Sequence, residues 1–333
     1  MIFWYNKRNG LKTAVPFFLC RSYNMGKFII KRLLGLIPTL FVIVTLSFFI
    51  TRLAPGGPFA SEKKVPPEIL ANLEKQYHMD EPLFKQYLRY VGNVLHGDLG
   101  PSFKNKDFTV NQLIGSSMPN SLLLGVISLA FAMLFGITFG LISAVKQNTW
   151  VDYSTMSFAS VGLSVPLFVV GPVAVFVFAL TLKWLPTSGW ITGRYGWKTL
   201  IMPAFTLALP RFASIARLTR ASVLETLRSD YVRTARAKGL KNSVVMVKHV
   251  LKGALLPVVS YLGPAFAGIV TGSVVIEQVF LVPGIGNFFV KSALNRDYTL
   301  IIGTVIVYSG ILIVMNLIVD ILYGFLDPRI SYK

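Results

Sequence analysis

Long stretches without a charged residue alternate along this chain with short basic or mixed-charge stretches. A helix needs about 20 apolar residues to cross a hydrocarbon core roughly 30 Å thick, and a charge at mid-bilayer costs at least about 2.5 kcal/mol. The pattern therefore predicts a transmembrane helix wherever an uncharged run is this long. Five runs of 19 to 30 residues qualify, at residues 33–51, 121–145, 153–182, 253–276 and 298–319.

A sixth, weaker apolar segment is identified by the charges around it. Residues 199–210 are uncharged, and the apolar pattern continues beyond Arg211. Seven Lys and Arg residues and no acid precede the first span, which places the N-terminus in the cytoplasm by the positive-inside rule. Residues 211–252 carry ten Lys and Arg against Glu225 and Asp230, so this block is expected in the cytoplasm too. Only a sixth span returns it there, and both termini are then cytoplasmic.

The spans divide the chain into parts with different surroundings. Asp80, Glu81 and Pro82 resemble a helix start, so the external part is expected to contain a small helical cap, either a structural lid or a docking surface. Prolines such as Pro166 and Pro210 predict kinks within spans. The predicted parts are a cytoplasmic N-terminal extension or extended start at 1–24, transmembrane helix 1 at 25–52, an external helical segment at 53–120, and a five-helix core at 121–333 with a cytoplasmic loop at 217–252.

Composition supports the membrane interpretation and excludes other classes. Charged residues make up only 14% of the 333 residues, and mean hydropathy is +0.61, whereas a soluble domain has about 25% charged residues. The net charge of +19 would suit a nucleic-acid-binding protein, but the cations lie in loops between apolar runs, as the positive-inside rule requires. We therefore expect an all-α integral membrane protein that does not bind nucleic acid.

No motif for catalysis, metal binding or nucleotide binding is present in the sequence. Cys20 is the single cysteine, and the three histidines share no ligand spacing, so neither a metal site nor a cofactor is expected. No phosphate-binding loop occurs. Glu277 ends an otherwise apolar span, which makes it a weak candidate for a substrate pathway. The alternative, which we favour, is a hydrogen bond to a neighbouring helix end at the external interface.

The cytoplasmic block contains a short helix with defined ends. Ser229 or Asp230 can cap its start, and Gly239 suits its end. Small residues lie between them among three cations, and a second cap at Asn242 or Ser243 is expected to start a helix that continues to Pro257. Such a helix could dock into a groove of another protein or could be a solvated basic loop.

Several short motifs resemble those of membrane subunits of binding-protein-dependent ABC importers. Segment 233–239 and the helix after it resemble the family's coupling loop, although Arg233 and Thr234 replace the usual Glu and Ala. Together these motifs are most similar to those of the B-type permeases of oligopeptide importers, in the peptide branch of the family. The resemblance runs from about residue 25 to residue 333. The other motifs are RLAPGGP at 52–58, GDLGPS at 97–102, PGIG at 283–286, NRDY at 295–298 and DP at 327–328.

The resemblance implies a type I ABC importer permease fold in the bacterial inner membrane. It also implies partners: a homologous C-type permease, two cytoplasmic ATPase subunits of the D and F types, and an external peptide-binding protein that delivers peptide. ATP hydrolysis would occur in the partners, so this chain would not be an enzyme. The ATPases would receive helix 230–239. The coupling residues would be Asp230, Arg233, Thr234, Ala235, Ala237 and Gly239.

Three alternatives remain open at this stage. A sister system could import dipeptides, nickel chelates or murein peptides. A self-sufficient secondary transporter or channel would need ionisable residues along its pathway, and the five strong spans have none. A membrane scaffold would move no substrate at all.

Overall fold

The computed structural model of the chain describes residues 17–53, 57, 67–105, 107–191, 195–272 and 274–326. The first sixteen residues of the predicted extension, most of the 52–58 motif and the 327–328 motif lie outside this range.

Helices make up most of the described residues, as the sequence predicts. They include two π-helical segments, Val175–Thr181 and Val245–Leu251, and a 3-10 turn, Gly196–Leu200. The α-helices are α1 (Phe17–Leu53), α2 (Pro67–Gln76), α3 (Leu83–Leu95), α4 (Val110–Val145), α5 (Trp150–Ser164), α6 (Leu167–Ala174), α7 (Ile201–Leu227), α8 (Asp230–Ala237), α9 (Asn242–Val244), α10 (Lys252–Ala254), α11 (Leu256–Gly272), α12 (Val274–Val279), α13 (Ile285–Asn295) and α14 (Tyr298–Leu326).

The number of spans agrees with six when each bent helix pair is counted once. Two pairs are bent, by 106° between α5 and α6 and by 50° between α10 and α11. Within the described ranges, four unbroken helices have sufficient length and hydropathy: Leu34–Leu53, Val110–Val145, Gly196–Leu227 and Tyr298–Leu322.

The sequence predicted one continuous span over 153–182, but the structure breaks it at Pro166. Val165 has an extended backbone, with φ −91° and ψ 124°, and Pro166 sits at the N-cap of α6. The ring of a proline clashes with a helical conformation of the residue before it. Pro166 therefore redirects the chain instead of only kinking the helix.

Two helices extend further than their uncharged runs. Thr109 accepts a hydrogen bond from Gln112 N, and the Gln112 side chain accepts one from Thr109 N, a capping box that starts α4 before the apolar run. Helix α7 continues to Leu227, so Arg211, which the sequence assigned to the cytoplasmic block, lies within the span. Arg217 and Arg220 also lie in α7, so seven cations of the block follow this helix, and the inferred orientation is unchanged.

Helices α4 and α7 cross so closely that side chains larger than hydrogen do not fit at two positions. A Cβ atom added to Gly136 would lie 2.7 Å from Ile215 Cγ2, and one added to Gly140 would lie 2.5 Å from the carbonyl oxygen of Ala216. Small residues four apart allow such close packing between membrane helices, where the hydrophobic effect does not drive association. This crossing is the centre of the helical core.

The predicted external cap packs on the outer end of α1. Helix α3 begins directly after Pro82, as the sequence predicted. Tyr87 and Tyr90 on α3 are buried against Val44 and Phe48 of α1, and the hydroxyl groups of Tyr87 and Thr45 lie 2.7 Å apart. The cap is thereby held to the first span.

Candidate functional site

Helix α8 has the two-turn length predicted for the cytoplasmic block. Ser229 is its N-cap, but the Ser229 hydroxyl donates to the carbonyl oxygen of Thr226 at 2.6 Å and does not cap the helix N–H groups. Gly239 has φ +73°, a backbone conformation that glycine adopts without a steric cost. The predicted ends of the helix are therefore confirmed, and the predicted side-chain cap is not observed.

The inward face of α8 packs into the body of the chain. Val232 and Ala235, three residues apart, are buried in one cluster with Val223, Val245 and Val250. Residues at this spacing share a helix face. Ala235 was predicted to contact a partner directly, but its burial means that its side chain contacts this chain's own core.

The outward face of α8 is polar and exposed. Asp230 and Arg233 lie 3.8 Å apart with side chains 98% and 81% exposed, and such a pair contributes little in water. Thr234 donates its hydroxyl proton to the carbonyl oxygen of Asp230 at 2.9 Å. Ala237 and Gly239 are also exposed. Of the predicted coupling residues, these five are placed where another protein can contact them.

The segment after α8 connects this helix to a membrane span. Helix α9 begins at Asn242, and its N-cap is Lys241 without a side-chain cap, so neither predicted cap residue has that position. The helix was predicted to run on to Pro257, but it bends by 50° before α11. Pro257 lies in the first turn of α11, where a missing N–H costs no hydrogen bond.

A buried ion pair that sequence reasoning missed fixes the cytoplasmic ends of three helices. Asp152 at the start of α5 is 2% exposed, and Arg220 of α7 donates to both of its oxygens, at 2.8 Å from Nε and 2.6 Å from Nη2. The hydroxyl of Ser143 in α4 and the N–H of Asn148 also donate to Asp152. The only sequence signal was an isolated acid directly before the uncharged run 153–182.

Glu277 is fully buried between α12, α13 and α4. Its carboxylate accepts hydrogen bonds from the Ser121 hydroxyl at 2.7 Å and from Gly286 N at 2.9 Å. An added Cβ at Gly284 would lie 2.3 Å from the Glu277 carboxyl carbon. Glu277 therefore bonds to the N-terminal end of α13, the alternative favoured from the sequence, and its carboxylate does not face open space.

A second buried carboxylate joins two motifs that are far apart in sequence. Asp297 accepts hydrogen bonds from the Ser102 hydroxyl, from Phe103 N at 3.2 Å and from Leu300 N at 3.3 Å. The Thr299 hydroxyl also donates to the carbonyl oxygen of Pro101 at 2.6 Å. The 97–102 and 295–298 motifs thus meet at the external end of α14.

The two parts of the chain match two family descriptions. Residues 136–332 match "Binding-protein-dependent transport system inner membrane component", and residues 25–125 match the N-terminal region of the same membrane components. The chain is 51% identical over 308 residues to the oligopeptide transport system permease protein OppB of Haemophilus influenzae, covering 92% of this chain and 100% of that protein. It is 41% identical over 307 residues to the dipeptide transport system permease protein DppB of Bacillus subtilis, covering 92% and 98%.

A solved structure shares the fold of the core. The MetNI methionine ABC transporter in an inward-facing conformation aligns with a TM-score of 0.52 at 16% identity, over 65% of this chain and 97% of that chain. At this identity the likeness concerns the fold alone.

Proposed function

The chain belongs to the family of inner membrane components of binding-protein-dependent transport systems, and from this we propose that it is the permease subunit of an ATP-driven oligopeptide importer. It is a multi-pass protein of the bacterial inner membrane with the type I ABC importer permease fold. The observation that carries the substrate assignment is the 51% identity over the whole length of an oligopeptide permease. The 41% identity to a dipeptide permease is lower over the same region, so dipeptide import is the second candidate.

The partners complete the importer. A homologous C-type permease would form the other half of the pathway, and an external peptide-binding protein would deliver the peptide. Two cytoplasmic ATPases of the D and F types would hydrolyse ATP, because the sequence of this chain has no nucleotide-binding motif. The bilayer is the remaining partner.

Helix α8 is the proposed docking element for the ATPases. Arg233 and Ala237 lie on its exposed face and would enter an acidic groove, while Val232 and Ala235 anchor the helix to its own chain. A solvated loop would not need an apolar anchor. The anchor lets a force on the exposed face reach α11 through α9 and α10.

The test of this function is peptide uptake in cells that lack only this gene. We expect the native chain to restore uptake of a labelled tetrapeptide, and unlabelled peptides of three to five residues to compete better than dipeptides. Better competition by dipeptides would support the second candidate. Restored uptake when both ATPase genes are also deleted would contradict an ATP-driven importer and favour a self-sufficient transporter.

A further inference from the structure

Arg211 is a cation at the middle of a membrane span. The candidate span Gly196–Leu227 has 32 residues, and Arg211 lies halfway along it. An ionisable side chain at this depth is costly in lipid, and in membrane proteins it faces the bundle interior or a water-filled cavity. The position of Arg211 therefore calls for a functional explanation.

The guanidinium of Arg211 reaches across to α11. Its Nη1 donates to the Tyr261 hydroxyl at 3.3 Å, and a Cβ added to Gly268 would lie 2.3 Å from Nη2. The absence of a side chain at Gly268 thus provides the space that the guanidinium occupies. Among the residues that the structure describes, no carboxylate forms an ion pair with Arg211.

The same region is only partly covered by the rest of the chain. Arg211, Tyr261 and Gly268 are each half-buried, and Pro264, one turn from Gly268, is exposed. Because a charged side chain that faces lipid is costly, the part of the α7–α11 surface around Arg211 must face water or a polar group. In an importer, the water-filled pathway between two permeases is such a place.

We propose that Arg211 binds the C-terminal carboxylate of the peptide as it crosses the membrane, an inference that rests on the proposed importer function. A guanidinium presents paired N–H donors that match the two oxygens of a carboxylate. Every peptide with a free C-terminus carries this group whatever its sequence. One fixed cation can therefore contact many different substrates.

The site is formed by residues of two separate helices. Arg211 belongs to α7, whereas Tyr261 and Gly268 belong to α11, which follows the 50° bend after the segment packed against α8. Helix α8 packs against the end of α7 at Val223 and against the segment before α11 at Val245 and Val250, so a displacement of α8 would act on both helices. The carboxylate site would then change shape during the transport cycle, which allows release.

The experiment measures uptake of a peptide with a free C-terminus and of its C-terminal amide in cells that lack only this gene and retain the other subunits. We expect Arg211→Gln to lower uptake of the free acid by about tenfold or more, the loss typical of a hydrogen bond to a charged group, and to lower amide uptake much less. Arg211→Lys should retain part of the activity. Tyr261→Phe, which keeps the charge, should lower uptake less than Arg211→Gln does.

The control is Arg217→Gln, which removes an exposed cation from the same helix and should leave both uptakes unchanged. Equal losses of acid and amide uptake in Arg211→Gln would overturn the proposal and indicate a structural role or a partner's carboxylate. If the native protein does not carry the amide, a loss in Tyr261→Phe as large as in Arg211→Gln overturns it. Failure of the native chain to restore any peptide uptake would instead refute the importer function.

Discussion

Breaking the Asp152–Arg220 pair should destabilise the protein, and the two single substitutions should differ. Removing one partner of a buried ion pair costs about 3–5 kcal/mol. In Asp152→Asn the Arg220 side chain, 28% exposed, can be solvated in part, so we expect a loss at or below the lower limit of this range, about 2–3 kcal/mol. In Arg220→Met the carboxylate of Asp152, 2% exposed, keeps only the donors from Ser143 and Asn148, so we expect about 3–4 kcal/mol.

The double variant tests whether the pair itself causes these losses. Its free energy of unfolding should exceed the additive expectation by at least about 1.5 kcal/mol, because the second substitution removes a charge that the first left unpaired. Unfolding by SDS in mixed micelles, followed by circular dichroism, measures all variants, and Arg217→Met serves as the surface control. Additivity within about 0.5 kcal/mol, or an Arg220→Met variant more stable than Asp152→Asn, would refute this reasoning.

Three further pairs of substitutions test other parts of the fold. Gly140→Ala should lower the free energy of unfolding by about 1–3 kcal/mol, because the added methyl group overpacks the α4–α7 crossing. Gly115→Ala on the same helix, with no atom within 4 Å of the added Cβ, should not destabilise the protein. Equal losses in the SDS titration would contradict the close crossing. Ala235→Leu should destabilise the protein by about 1–3 kcal/mol. Ala237→Leu should leave the stability within about 0.5 kcal/mol of the native value and still lower peptide-stimulated ATP hydrolysis by the complex. Full hydrolysis in Ala237→Leu would argue against docking through the exposed face of α8. Asp297→Ala should cost at least about 2 kcal/mol by leaving buried donors unpaired. It should also expose the external segment to added protease, unlike Asp107→Ala at an exposed position. Identical cleavage of the two variants would count against a role of the Asp297 hydrogen bonds in holding this segment.

The sequence predicted the features that depend on local composition. Uncharged length identified five spans, charge bias identified the sixth, and the residues at 229–239 predicted α8. These signals hold because insertion cost and helix ends are set by residues close together in the chain. The break at Pro166 was predicted only as a kink, since composition does not distinguish a kinked helix from a redirected one.

Contacts between distant helices could not be predicted in the same way. Asp152 and Arg220 are 68 residues apart, and nothing in the local pattern of either residue indicates the other. The inward orientation of Ala235 depends on the position of Val245 and Val250 across the cluster. Arg211 was counted with the basic block although the apolar pattern continues beyond it, and the length of α7 places it within the span.

The hydrogen bonds that Asp297 accepts from residues 102–104 have a consequence for biosynthesis. Ser102 and Asp297 are 195 residues apart, so at about 5–20 residues per second translation supplies the second about 10–40 s after the first. During this interval Ser102 and the N–H groups of Phe103 and Lys104 lack the carboxylate that accepts their hydrogen bonds. The external segment therefore completes its structure only after the loop before the last helix has been exported, and a chain that stops short of that loop would leave the segment unfastened on the outer surface.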